Sequence, residues 1–314
     1  MKKKVLLTGG AGFIGSHLAD ALLSHPKVER LVVLDNLSNG SLANINHQLQ
    51  HPSFEFVEGD LADQALLNEL CQASDLVCHQ AAMGSVPRSI LHPDLTFANN
   101  VQGTFNLFHA AKNAGIERVV YASSSSVYGD SASLPKREGE EGHVLSPYAW
   151  SKLTNEQMAA QFHAHYGMDC IGLRYFNVFG PRQNPDGPYA AVIPLFVAAA
   201  KNKQQPTIHG DGTQSRDFTY VSNAVQANLL ALFHTDQLGH QAFNVACGES
   251  VNLLELWDTV QKNCGIQLDA KHVEPRPGDV KHSLADISKI QTLLGYQIQE
   301  HWDSGLKKTI ANHE

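Results

Sequence analysis

The stretch Val5-Leu6-Leu7-Thr8-Gly9-Gly10-Ala11-Gly12-Phe13-Ile14-Gly15 decides the fold. Its three leading apolar residues read as a buried strand, and the pattern from Ser16 to Leu23 reads as a helix. Between them, Gly10, Gly12 and Gly15 satisfy GxGxxG, and Gly9, Gly12 and Gly15 satisfy the looser GxxGxxG. Glycines permit a tight turn and let backbone N–H groups approach a pyrophosphate at the helix N-terminus. A second strand, Leu31 to Leu34, ends in Asp35, twenty residues after Gly15. A carboxylate there can accept both adenosine ribose hydroxyls and repels a 2′-phosphate. Asn36 follows with no arginine beside it, so NAD is expected over NADP.

Strand and helix go on alternating from there. Phe54 to Val57, Leu76 to His79, Val119 to Ala122 and Cys170 to Leu173 read as further strands. Thr96 to Ala114 reads as a long helix with Gly115 as its C-terminal cap. Later, Val221 to Phe233 reads as a helix and Ala242 to Val245 as a short strand. The fold class expected is α/β: a doubly wound parallel Rossmann sheet with a smaller, discontinuous C-terminal substrate domain. Residues 1–176 plus about 217–247 would form the dinucleotide-binding domain, and about 177–216 plus 248–314 the second.

Composition narrows the class. The chain has 314 residues, 43% apolar and 17% charged, enough to bury a core without disulfides. A net charge of −8 argues against nucleic acid or an anionic membrane as partner, so an anionic substrate must be held by local arginines. The longest apolar stretch, near Tyr189 to Ala200, is too short to span a bilayer and contains Pro194. Met1-Lys2-Lys3-Lys4 leads straight into a strand, with no adequate h-region of a signal peptide. Five cysteines without a CxxC pair suit a reducing cytoplasm. There are 17 histidines, but no pair stands in metal-ligand context, and no metal is expected.

Tyr148 and Lys152 stand four apart in Pro147 to Tyr166, which reads as a helix opened by Pro147 and closed by Gly167. Residues i and i+4 share one helix face. A free tyrosine ionises near pH 10. A cation about 4 Å away, at an effective dielectric of about 20, favours the phenolate by roughly 4 kcal/mol, about 3 pKa units. The serine run Ser123 to Ser126, delivered by the fifth strand, supplies a hydroxyl to share the proton. Such a set takes a proton from a substrate hydroxyl. YxxxK alone also arises by accident; the glycine turn and Asp35 give it weight.

Further motifs follow in order: Gly59-Asp60-Leu61, His79-Gln80-Ala81-Ala82, Asn99-Asn100, Val127-Tyr128-Gly129, Arg174-Tyr175-Phe176-Asn177, Gly210-Asp211-Gly212, Ser215-Arg216-Asp217 and Arg276-Pro277-Gly278-Asp279. In that order, over nearly its whole length, the chain resembles the extended short-chain dehydrogenase/reductases, and among them the UDP-hexose 4-epimerases. The resemblance implies that Tyr148 removes the proton of the sugar 4-hydroxyl as hydride leaves C4 for NAD. The 4-keto sugar then turns about its diphosphate link and takes the hydride back on its other face. Lys152 would lower the Tyr148 pKa and bind the nicotinamide ribose, and Ser124 would bond the 4-oxygen. Cofactor contacts are implied for Gly9, Gly12, Phe13, Ile14, Gly15, Asp35, Asn36, Asp60, Leu61, Gln80, Ala81, Ala82, Asn99, Ser123 and Tyr175, besides Tyr148 and Lys152. On the substrate side, Asn177, Arg216 and Arg276 would hold the diphosphate and Asp279 the uridine ribose. Gly84, Ser85, Ser125, Ala191, Val192 and Ser283 would meet the sugar. A homodimer through the helices near 97–114 and 148–166 is also implied.

The family comparison bears on the reaction and the sugar too. Related 4,6-dehydratases carry an Asp-Glu pair after the strand-five serine or threonine, because elimination needs an extra acid and base; here Ser125 and Ser126 stand there. Ser126 is expected to be structural. Relatives limited to non-acetylated sugars tend to place lysine where Gly84 stands, tyrosine where Ser283 stands and asparagine where Ala191 stands. All three are small here, so the resemblance implies interconversion of UDP-N-acetylglucosamine and UDP-N-acetylgalactosamine. UDP-N-acetylglucosaminuronate, with Arg88 meeting its carboxylate, and UDP-glucose stay open as substrates. So does a non-catalytic NAD-binding regulator, which has no need of Ser124, Tyr148 and Lys152.

Overall fold

The computed structural model describes residues 1–184, 190–274 and 281–312. Among them, the strands in chain order are β1 (Lys3–Thr8), β2 (Val28–Asp35), β3 (Phe54–Glu58), β4 (Leu76–His79), β5 (Arg118–Ser124), β6 (Asp169–Tyr175), β7 (Val178–Phe179), β8 (Thr207–His209), β9 (Ser215–Arg216), β10 (Thr219–Tyr220), β11 (His240–Val245), β12 (Val251–Asn252) and β13 (Lys271–Val273). One seven-stranded sheet has the order β11-β6-β5-β4-β1-β2-β3, with every pair parallel. The order reverses between β1 and β4, the crevice at which open parallel sheets bind ligands.

Alternation along the strands builds a core on each face. Leu7, Val33 and Ile171 pack with Leu18 and Ala227 on one side. Leu6, Val32 and Val77 pack with Phe108 and Phe162 on the other. Successive side chains of a strand point to opposite faces, so a strand covered by helices on both sides reads as an unbroken apolar run. A third core of Phe179, Phe196, Trp257 and Leu306 lies among the small strand pairs β7/β10, β9/β12 and β8/β13 of the second half.

The expected elements form, several with longer ends; β11, for instance, begins at His240, while the helix expected over Val221 to Phe233 ends at Leu232. Gly115 and Gly167 end their helices with φ of 71° and 67°, as caps in the left-handed region. The expected helix over Thr96 to Ala114 is interrupted: Pro93–Thr96 passes into a wider π-helical turn, Phe97–Gln102, before Gly103–Ala114. Asn100 lies within this turn. Its buried amide accepts from Met83 N at 2.8 Å and donates to Met83 O and to Ser151 Oγ at 3.2 and 3.1 Å. Helices at Gln64–Gln72, Val86–Leu91, Val192–Lys201, Leu253–Cys264, Ser288–Leu294 and Trp302–Ala311 add to those expected. No described helix is long and apolar enough to cross a membrane.

Candidate active site

A groove of about 310 Å³ opens at the β1/β4 crevice. The glycine turn forms one wall. Gly9 has φ +71°, and a Cβ on it would lie 2.5 Å from Ala81 N, so only glycine permits this approach. A Cβ on Gly15 would lie 2.0 Å from Gly9 O, which assigns Gly15 to close packing of the helix on the turn. Asp35 ends β2 at the groove. Its carboxylate accepts Ala11 N–H and Leu37 N–H, each at 2.9 Å, and keeps lone pairs for hydroxyl donors. Gly12, Asn36, Asp60, Leu61, Gln80, Ala81, Ala82 and Asn99 complete the predicted lining. A cradle that a Cβ would fill, beside a carboxylate that repels a 2′-phosphate, fits NAD.

Phe13, Ile14, Gly15, Ser123, Tyr148, Lys152 and Tyr175 do not line this groove. Ser123 donates to Glu156 Oε1 at 2.5 Å, and Glu156 pairs with Arg174 at 2.7 Å. Tyr175 donates to Gln80 Oε1 at 3.0 Å and accepts from Asn228 at 2.7 Å. The phenol thus orients Gln80, which does line the groove.

Ser124, Tyr148 and Lys152 converge beyond the end of β5. Pro147–Tyr166 is one helix, capped by Ser146 Oγ accepting Ala149 N–H at 3.1 Å. Ser126 donates to Ser124 Oγ twice, from N at 3.2 Å and Oγ at 2.9 Å. Ser124 is left with its own proton, and its hydrogen bond to Tyr148 holds that phenol down. Burial wins nevertheless and raises the Tyr148 pKa above its usual value. Lys152, expected to lower that pKa, stands one helical turn on from Tyr148. The ammonium stands 5.9 Å from the ring centroid and donates to the Ala122 carbonyl at 2.8 Å. Burial also pushes Lys152 itself down to about 8, with Glu156 opposing. A charge this deep is costly, and its hydrogen bond goes to the strand end instead of the phenol.

A second cavity of about 410 Å³ gathers Asn177, Ala191, Val192 and Arg216 with Phe179, Phe218, His209 and Gln214. Asn177 has φ +37°, unusual for a non-glycine residue, and its amide donates to Asp217 O at 3.1 Å. The Asp217 carboxylate in turn accepts N–H groups of Cys247, Gly248 and Ala285 at 3.0–3.1 Å. Arg216 donates to Ser215 O at 2.9 Å and Lys281 O at 3.2 Å. Ser283 and Ser85 line neither cavity. Ser283 N donates to Ser215 O at 3.0 Å, next to Arg216. Ser85 caps the Val86–Leu91 helix. Ser125 opens the short turn Ser125–Tyr128. Gly84 is exposed, and a Cβ on it meets nothing within 4 Å. Arg276 and Asp279 lie outside the described residues.

The segment after β4 joins the two cavities. Ala82, Met83 and Arg88 face the first; Val86 and Pro87 face the second. Ser89 Oγ accepts Tyr148 N–H at 3.1 Å, which ties this segment to the Pro147–Tyr166 helix. Arg88 thus departs from expectation. It lines the first groove and donates to Asn39 Oδ1 at 2.6 Å, away from the sugar side. Ser38, Asn39 and Gly40 also escaped the motif reading. Their one signal is a polar, glycine-containing loop directly after a strand that ends in Asp35.

The profile of the NAD dependent epimerase/dehydratase family matches residues 5–246. A UDP-glucose 4-epimerase of Mycolicibacterium smegmatis is 35% identical, covering 98% of this chain and 97% of its own. The structure of a UDP-N-acetylglucosamine 4-epimerase from Methanobrevibacter ruminantium M1, in complex with UDP-N-acetylmuramic acid, superposes with a TM-score of 0.93 at 40% identity, covering 99% and 98% of the chains. A UDP-glucuronic acid 4-epimerase from Bacillus cereus, with UDP-glucuronic acid and NAD, gives 0.92 at 31% identity, covering 98% of each. At such coverage and identity the relation is one of family: the chain belongs to the NAD dependent epimerase/dehydratase family.

Proposed function

We propose that this chain is a UDP-sugar 4-epimerase that interconverts UDP-N-acetylglucosamine and UDP-N-acetylgalactosamine. The observation that carries the chemistry is the Ser124–Tyr148 hydrogen bond with Lys152 on the same helix face and no carboxylate at 125 or 126. Tyr148 holds the proton of the sugar 4-hydroxyl and returns it, so proton and redox balance are unchanged. NAD, when bound in the first groove, supplies reversible hydride acceptance. Ser124 donates to the phenolic oxygen and so stabilises the phenolate that the step requires. Lys152, anchored on Ala122 O, keeps a positive charge near that anion below pH of about 8. Two serines cannot supply the acid and base that elimination of water needs. Asn177 and Arg216 in the second cavity hold the diphosphate, with Arg276 and Asp279 proposed beside them.

The small Ala191 at the second cavity favours a 2-acetamido sugar. The 40% identical Methanobrevibacter protein carries an N-acetylated UDP-sugar in its complex. Arg88 turned into the other groove removes the side chain that favoured a uronate. The test is a panel of UDP-N-acetylglucosamine, UDP-N-acetylgalactosamine, UDP-glucose, UDP-galactose and N-acetylated uronates, with products resolved by chromatography or NMR. Fastest turnover of the acetylated hexose pair is expected. Preference for plain hexoses or uronates would sink the substrate assignment, and loss of water or CO2 would sink the epimerase. A homodimer belongs to the same proposal, because Phe97, Phe105, Trp150 and Tyr166 are exposed on the two helices expected to pair.

A further inference from the structure

We propose that Arg88 and Asn39 form a latch across the first groove that sets how long NAD stays bound. The two residues come from separate elements. Asn39 lies in the loop after β2, and Arg88 on the Val86–Leu91 helix after β4. Both line the groove, and the guanidinium Nη1 donates to Asn39 Oδ1 at 2.6 Å. The bond therefore joins the two sides of the crevice between β1/β2 and β4.

Each half is anchored behind the contact. The Asn39 loop is held to the glycine turn: Ser41 N and Asn44 Nδ2 donate to Ala11 O at 3.0 and 2.9 Å. Gly40 packs so closely there that a Cβ would lie 2.9 Å from the Ala11 carbonyl carbon. The Arg88 helix is held by Ser85 at its start and by Ser89 on the Tyr148 N–H. Anchored backbones leave opening to the two side chains, and breaking one hydrogen bond parts them.

Charge reinforces the assignment. Among the described residues lining the groove, Arg88 is the sole cationic side chain, set against Asp35 and Asp60. A dinucleotide brings a pyrophosphate to this turn, and a guanidinium is the group best suited to stay near it while donating to a neutral amide. A reaction with no net redox change gains from a cofactor that does not leave between turnovers. The inference concerns the cofactor groove alone and stands whichever sugar the second cavity takes.

The test is NAD dissociation from the loaded protein, read as displacement by fluorescent etheno-NAD, for wild type, Arg88→Gln, Asn39→Ala and the double variant. Each single change is expected to speed dissociation about 10-fold, and the double no more than either single, because one bond is lost in all three. Circular dichroism and melting curves check that the exposed substitutions leave the fold in place. Unchanged dissociation in Arg88→Gln would overturn the latch. So would multiplicative effects in the double variant, which would make the residues independent contacts. Arg88→Lys, which keeps the charge but loses the planar fork, is expected to restore only part of the retention. Full restoration would assign the effect to charge alone and overturn the latch.

Discussion

Burial acts on Tyr148 and Lys152 in opposite senses, raising the phenol and lowering the ammonium to about 8. At neutral pH the phenol is thus not pre-ionised while the ammonium still carries its charge; Ser124 and Ala122 hold the two in place. Replacing Tyr148 by Phe is expected to lower kcat by at least about 100-fold while bound NAD, assayed by release on denaturation, stays stoichiometric. Gly84 offers the converse test. Gly84→Lys adds bulk where nothing stands within 4 Å, so the melting temperature is expected to hold. The ratio of kcat/KM for acetylated over plain UDP-hexoses is expected to fall about 10-fold or more. His79, buried between Thr8 Oγ1 and Thr104 Oγ1, is lowered to about 3 by burial first and by Lys152 second. The unfolded chain then binds the proton first, so this stability is complete above pH of about 6.5 and is lost as pH falls toward 3. The unfolding free energy from urea titrations is expected to drop from pH 7 to 5 by about 2 kcal/mol more than in a His79→Gln variant, where the acid slope is shallower.

At the scale of elements, the π-helical turn Phe97–Gln102 was not legible in the sequence. Periodicity there is that of a plain helix, and within the turn Asn100 bonds Met83, 17 positions away in the chain. It also lets adjacent asparagines serve different ends: Asn99 lines the cofactor groove while Asn100 is buried. Asn100→Leu is expected to cost about 1–3 kcal/mol in chemical denaturation, since Met83 N–H loses its partner. The other miss of this kind is the Val86–Leu91 helix. Six residues are too few for a period to show, yet this helix carries Arg88 to the groove and Ser89 to Tyr148 N. Caps fared better, because Gly115, Gly167 and Ser146 have local reasons to stand where they do.

For the whole molecule, exposed Trp150 stacks with Phe97 at 6.2 Å, and Phe105 and Tyr166 extend the same two helices outward. In analytical ultracentrifugation the protein is expected to sediment as a dimer and Trp150→Glu as a monomer at micromolar concentration. The sequence by itself determined the parallel sheet, the glycine turn, Asp35 at the end of its strand and the helix that carries Tyr148 and Lys152. Each rests on short spacings whose physics is local: a strand's alternation, a turn's φ, two residues one helical turn apart. Tertiary structure alone decided that Arg88 serves the first groove and bonds Asn39, 49 positions away in the chain. It also decided that Ser123 and Tyr175 face inward to Glu156 and Asn228, and that Tyr148 is harder to ionise than its neighbour suggests. Those outcomes depend on which distant groups share a buried volume and which hydrogen bonds remain when it closes, and no spacing along the chain carries that information.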